Sequence, residues 1–160
     1  MKYVLTVILL LFFLQGCKTF EALGHPATTD EYRTRHDGGM FANKRVDIIP
    51  LPLEQTAQNL DSLASECLDV SIEFASKQAG VMQKGTQTFD FQLVKKNPDH
   101  YEAAIRQVMG KDWGVMYMAD LKSSANQQTE MEIFFRGPEM WYTKNLSSWA
   151  RGEMVECKLY

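Results

Sequence analysis

Three cysteines, Cys17, Cys67 and Cys157, carry the most distinctive chemistry in this chain of 160 residues. Cys17 stands directly after a small residue and three places after a large apolar one, in Leu14-Gln15-Gly16-Cys17. Its thiol, once ionised, is a nucleophile, so the position is a candidate for covalent modification. Cys67 and Cys157 then remain for each other, since neither belongs to a Cys-x-x-Cys redox pair. A bond between them would close a loop of about ninety residues, worth roughly 4–5 kcal/mol in the chain-entropy description. Two buried thiols acting as small apolar side chains are the alternative.

The other reactive side chains are scattered. Met116 and Met118 share a face of an alternating stretch, and thioethers suit the cuprous ion, but no third Met or His stands near them, so no metal site is expected. His25 and His36 fall in a polar segment and are expected to be solvated. His100 is expected on an exposed helical turn, with no serine on a sharp glycine turn to complete a Ser-His-Asp set. Glu130 and Glu132 alternate along one strand, the ordinary pattern of a solvated face rather than a glycosidase pair. There is no Gly-x-Ser-x-Gly elbow, phosphate loop or His-Glu-x-x-His helix. No cofactor and no enzymatic activity are expected; an unrecognised hydrolase is the residual enzymatic reading.

The segment before Cys17 explains its setting. Lys2 precedes a run from Val4 to Leu14 that is apolar except for Thr6. Eleven helical residues cover roughly half of a ~30 Å hydrocarbon core, the length of a signal-peptide core rather than of a permanent span. Together with Leu14-Gln15-Gly16-Cys17 it resembles the lipobox of bacterial lipoproteins, apart from Gln15, where a small residue is more usual. The resemblance implies that residues 1–16 are removed and that Cys17 becomes a diacylglyceryl-modified, acylated N-terminus anchored in a membrane. Two or three acyl chains make such anchoring stable. Lys18 stands where Asp would signal inner-membrane retention in two-membrane bacteria, so the resemblance implies an outer-membrane anchor with the domain facing the periplasm.

Composition agrees with one tethered domain. Apolar residues make up 45% of the chain, enough for a core. The net charge of −3 is of the wrong sign for a nucleic-acid binder. Residues 17–45 lack an apolar period and read as a lipidated Cys with a flexible tether, from which Tyr32, Met40 and Phe41 could dock on the domain or on a partner. Residues 46–160 read as a single α+β domain.

Its elements are predicted from periodicity. Val46–Ile49 is a short strand, and Leu53, Ala57, Leu60, Ala64 and Cys67 form a helical stripe. Strands follow at 69–74 and 86–95, after a turn marked by Gly80 and Gly85. Asn97, Pro98 and Asp99 suit the start of a helix that Gly110 would stop. Two more strands at 113–123 and 129–136 precede a last helix that begins after Gly137-Pro138-Glu139 and ends near Gly152. The order is β-α-β-β-α-β-β-α, an antiparallel sheet of about four to five strands with helices packed on one face. This order resembles helix-grip domains of the BamC type, in which a long helix lies across a curved sheet.

Alternation leaves the other face polar except for Met116, Met118 and Phe134, an apolar island that is the candidate binding patch. The expected function is that of a non-enzymatic envelope lipoprotein that binds another envelope component, a protein, through this open face. The alternative is a carrier of an apolar small molecule or lipid between helix and sheet. The anchor is tested by metabolic labelling. Palmitate is expected to label the wild-type chain and not Cys17→Ser, whereas an unlabelled mature wild-type chain in the culture supernatant would contradict it.

Overall fold

The computed structural model describes residues 26–39, 42–78, 81–109 and 112–157. The leader, Cys17, Lys18, His25, Met40, Phe41, Gly80 and Gly110 lie outside the described residues. The elements are α1 (Thr29–Asp37), β1 (Ala42–Ile49), α2 (Leu53–Leu68), β2 (Ser71–Gln78), β3 (Val81–Asn97), β4 (His100–Met109), β5 (Asp112–Ser124), β6 (Gln128–Arg136) and α3 (Trp141–Ala150), with a short 3₁₀ turn at Ala125–Gln127. The class is α+β, as expected, but the antiparallel sheet has six strands rather than four to five, in the order β1-β6-β5-β4-β3-β2. Consecutive strands β1 and β2 therefore occupy opposite edges, and α2 connects them. Among the described residues no helix is long and apolar enough to cross a membrane.

The extra strand is β4, where a helix was expected. Its residues pair with β3 on one side and β5 on the other, so that Tyr101, Ala103 and Ile105 meet Leu121, Ala119 and Tyr117. A lone helix of a dozen residues is marginal without packing, whereas this segment gains two backbone ladders. The residues that suit a helix start make a hairpin instead. Asn97 pairs with His100 across Pro98-Asp99, and the Asn97 Oδ1 accepts the Asp99 N–H at 2.9 Å.

The supposed tether holds α1. Thr28 caps it by accepting the Glu31 N–H at 3.2 Å, and the Glu31 carboxylate accepts the Ala27 N–H at 2.8 Å. This is close to a capping box. Asp30 and Glu31 lie in its first turn and Arg35 and His36 in its last, matching the helix dipole.

Two helices cover one face of the sheet and α1 covers part of the other. Leu60 and Ala64 of α2 and Leu146 and Trp149 of α3 bury against Phe91, Ile105, Leu121, Met131 and Ile133. The start of α2 is tied to β6 by buried hydroxyls: Thr129 donates to the Leu51 carbonyl at 2.9 Å and lies 3.1 Å from the Thr56 hydroxyl. At its other end α3 stops where expected. Gly152 has φ +79, and the Gly152 and Glu153 N–H groups donate back to Trp149 and Ser148, a Schellman closure.

Cys67, at the end of α2, and Cys157, in the tail, stand at disulfide distance with Cα atoms 5.4 Å apart. Closing this long loop restricts the unfolded chain. Reduction, or Cys67→Ser, is expected to lower stability by about 2–5 kcal/mol in a urea titration. An unchanged midpoint together with two titratable thiols in the native protein would show that the pair is not bonded.

Candidate functional site

β5 contains one residue more than its partner. Ile105 pairs with Tyr117 and Arg106 with Val115, leaving Met116 as the bulged residue. Val115 and Tyr117 therefore face opposite sides, although strict alternation would place them on the same face. Val115 joins Met118, Phe134 and Ala104 on the outer face, and Met116 packs with the inner core.

The predicted patch of Met116, Met118 and Phe134 is accordingly neither one surface nor open. Met118 and Phe134 are 1% and 5% exposed, closed over by Tyr32 of α1. The Tyr32 hydroxyl donates to the Phe134 carbonyl at 3.4 Å, and burial pushes its pKa well up. His36, expected to be solvated, is buried with its Nε2 2.8 Å from the Asn43 carbonyl, so Nε2 carries the donated proton.

Beside this apolar contact lies a polar one that the sequence reading missed. Glu102, Asp120 and Glu132 stand directly opposite one another across β4, β5 and β6, an unfavourable row unless cations intervene. Arg33 of α1 intervenes. Its Nη2 donates to Glu102 at 3.1 Å and to both Asp120 oxygens at 2.8 and 3.0 Å. Thr29 donates to Glu102 at 2.5 Å, and Lys96 lies 3.4 Å from it. His100, placed by sequence on a solvated helix, has Nε2 2.9 Å from Asp120. Lys44 pairs with Glu132, and Lys122 lies 4.0 Å from it. Both Glu102 and Asp120 are 4% exposed. Burial raises the Glu102 pKa, but Thr29, Arg33 and Lys96 outweigh that and hold it below the ordinary carboxyl value. Thr29 and Arg33 hold α1 to Glu102 and Asp120, and the remaining cations balance the acidic row from the sheet itself. Among the described residues no His, Cys, Asp or Glu cluster suits a metal ion.

The inner face carries a different feature. A cavity of about 380 Å³ opens between the sheet and the start of α3. Leu68, Val70 and Ile72 line one end, Phe89, Ile105 and Met116 the sheet wall, and Met140, Trp141 and Tyr142 the helix wall. Gln87, Gln107 and the two tyrosines Tyr117 and Tyr142 supply its polar groups. The rings of Tyr117 and Tyr142 meet edge to face at 4.9 Å, as do those of Trp141 and Tyr142 at 5.3 Å. Burial, followed by a hydrogen bond shared with Tyr117, pushes the Tyr142 pKa well up. Size, apolar walls and a few convergent polar groups are the properties of a small-molecule site. The cavity is not legible in the sequence, because the bulge that turns Met116 inward has no local signature.

No protein-family model matches this chain, and no curated protein matches it. A solved structure similar to it is the crystal structure of Ara h 8.0201, at 8% identity and a TM-score of 0.36, covering 69% of this chain and 95% of that one. A likeness at that level leaves the site to be read from this chain's own geometry.

The ion cluster has a testable sign. The Glu102 pKa is lower when α1 is docked than when it is released, so its contribution is complete above the ordinary carboxyl range and is lost as pH falls through the docked value. Hydrogen exchange of residues 29–37, corrected for intrinsic rates, is expected to show protection at pH 7 that disappears in acid before the sheet opens. Arg33→Ala is expected to remove about 1–3 kcal/mol of that protection at pH 7. Unchanged protection in the variant would show that Arg33 does not hold the helix.

Proposed function

We propose that this chain is a non-enzymatic, lipid-anchored envelope module that holds an apolar small molecule between α3 and the sheet. The observation that supports this reading is the cavity of about 380 Å³ walled by Phe89, Ile105, Met116 and Trp141. Binding of a protein through the open sheet face loses its supporting observation, since α1 covers Met118 and Phe134. An envelope protein that used this patch would have to displace α1.

We read the arrangement of α2 and α3 across the sheet as helix-grip-like, with the cavity in the grip. The anchor is Cys17, and Lys18 supports outer-membrane placement with the domain in the periplasm. The docking of α1 shortens the tether: from Cys17 to Thr29 the chain reaches at most about 40 Å when fully extended. The domain would therefore work close to the lipid surface, within range of ligands that partition there.

Native mass spectrometry of the lipidated protein, extracted in polymer-bounded nanodiscs without detergent, is expected to show a noncovalent small-molecule adduct. Met116→Trp, which fills the cavity from the bulge, is expected to lose the adduct while the disulfide stays closed. A ligand-free mass for the wild type, or an adduct retained by the filled variant, would contradict the proposal.

A further inference from the structure

The polar groups on the cavity wall are all uncharged. Gln87 and Gln107 present amides, Tyr117 and Tyr142 present phenols, and among the described lining residues none carries a formal charge. Burial moves the Tyr142 phenol still further from ionising. An amide both donates and accepts, so the pair of glutamines matches a carbonyl, hydroxyl or amide on a ligand. Such neutral donors offset less of the cost of drying a carboxylate or phosphate than a cation would, and that cost amounts to several kcal/mol. The cations Arg33, Lys96 and Lys44 are engaged on the opposite face of the sheet, against Glu102, Asp120 and Glu132.

We infer that the cavity selects an uncharged amphiphile, an apolar body with a hydrogen-bonding carbonyl, hydroxyl or amide, and rejects the corresponding anion. The inference rests on the carrier reading above and narrows it. Free fatty acids and phosphorylated lipids are excluded as cargo, and neutral lipids and other uncharged apolar molecules are admitted. Gln107, which lies opposite Phe89 on β4, is the positioning residue for the polar group.

Two photoreactive probes that differ in one group test this on the full lipidated chain in nanodiscs: 4-methylbenzophenone, which is neutral, and 4-benzoylbenzoate, its carboxylate counterpart. Excited benzophenones insert into nearby C–H bonds, and the readout is label at Met116 in the tryptic peptide 112–122. The neutral probe is expected to label Met116 at least about tenfold more than the anion. Gln107→Lys and Gln87→Lys place a cation in the wall, and at least one of them is expected to raise the anion-to-neutral ratio by about tenfold over wild type. This ratio cancels the greater partitioning of the neutral probe into lipid. Equal labelling by both probes, or an unchanged ratio in both folded variants, overturns the selectivity and leaves the carrier reading standing. Absence of cavity labelling by either probe overturns the carrier reading itself.

Discussion

The single extra residue in β5 decides which side chains serve each face of the sheet. With Met116 bulged, Val115 turns outward to the apolar patch beneath α1, and Tyr117 turns inward to meet Tyr142. Without it, the strand would place Val115 and Tyr117 on one face and lose either the cavity wall or the patch, because side chains alternate with a period of two. The pairing of β5 with β6 begins only at Met118, and ahead of it the Val115 N–H donates instead to the Pro26 carbonyl at 2.7 Å. The bulge thus also provides the contact that leads the chain into α1.

The two faces solve opposite problems. On the inner face α2 and α3 bury a large apolar cluster, and the void remaining at the start of α3 is bounded by neutral groups. On the outer face a short polar helix contributes Tyr32 as its buried apolar side chain. Area alone would bind such a helix weakly, so charge-assisted hydrogen bonds from Arg33 to a buried acidic pair supply the rest. Removal of one partner from such a cluster leaves buried charge without compensation, so each partner matters to the attachment beyond its own contact. Arg45 ties α3 to β1 in the same manner, donating to Asp47 at 2.8 Å and Ser147 at 2.9 Å.

Elements with a strong apolar period were legible in the sequence. The stripe from Leu53 to Cys67 folds as α2, the alternation of Leu121, Met131 and Ile133 marks β5 and β6, and Gly152 ends α3. β4 was misread because Tyr101, Ile105 and Val108 satisfy a helical spacing while Tyr101, Ala103 and Ile105 satisfy a strand, and only the neighbouring ladders choose between them. α1 was missed because its stability comes from caps and ion pairs, which hydropathy does not register. Thr28-Thr29-Asp30-Glu31 was the local signal that could have revealed it. The candidate patch failed for the same reason: Met118 and Phe134 were correctly placed together, but their cover lay in a segment read as tether. The cavity was beyond reach, since it depends on the bulge and on where α3 settles.

The proposed function stands on an apolar ligand in the space between Met116 and Trp141. The most direct measurement is an experimental structure at high resolution of the protein purified from its native membranes. Continuous, non-water density is expected in the cavity, with a polar end within hydrogen-bond distance of Gln87 or Gln107. Collapse of α3 onto the sheet so that no such space remains, or a cavity filled only by ordered water, would contradict it.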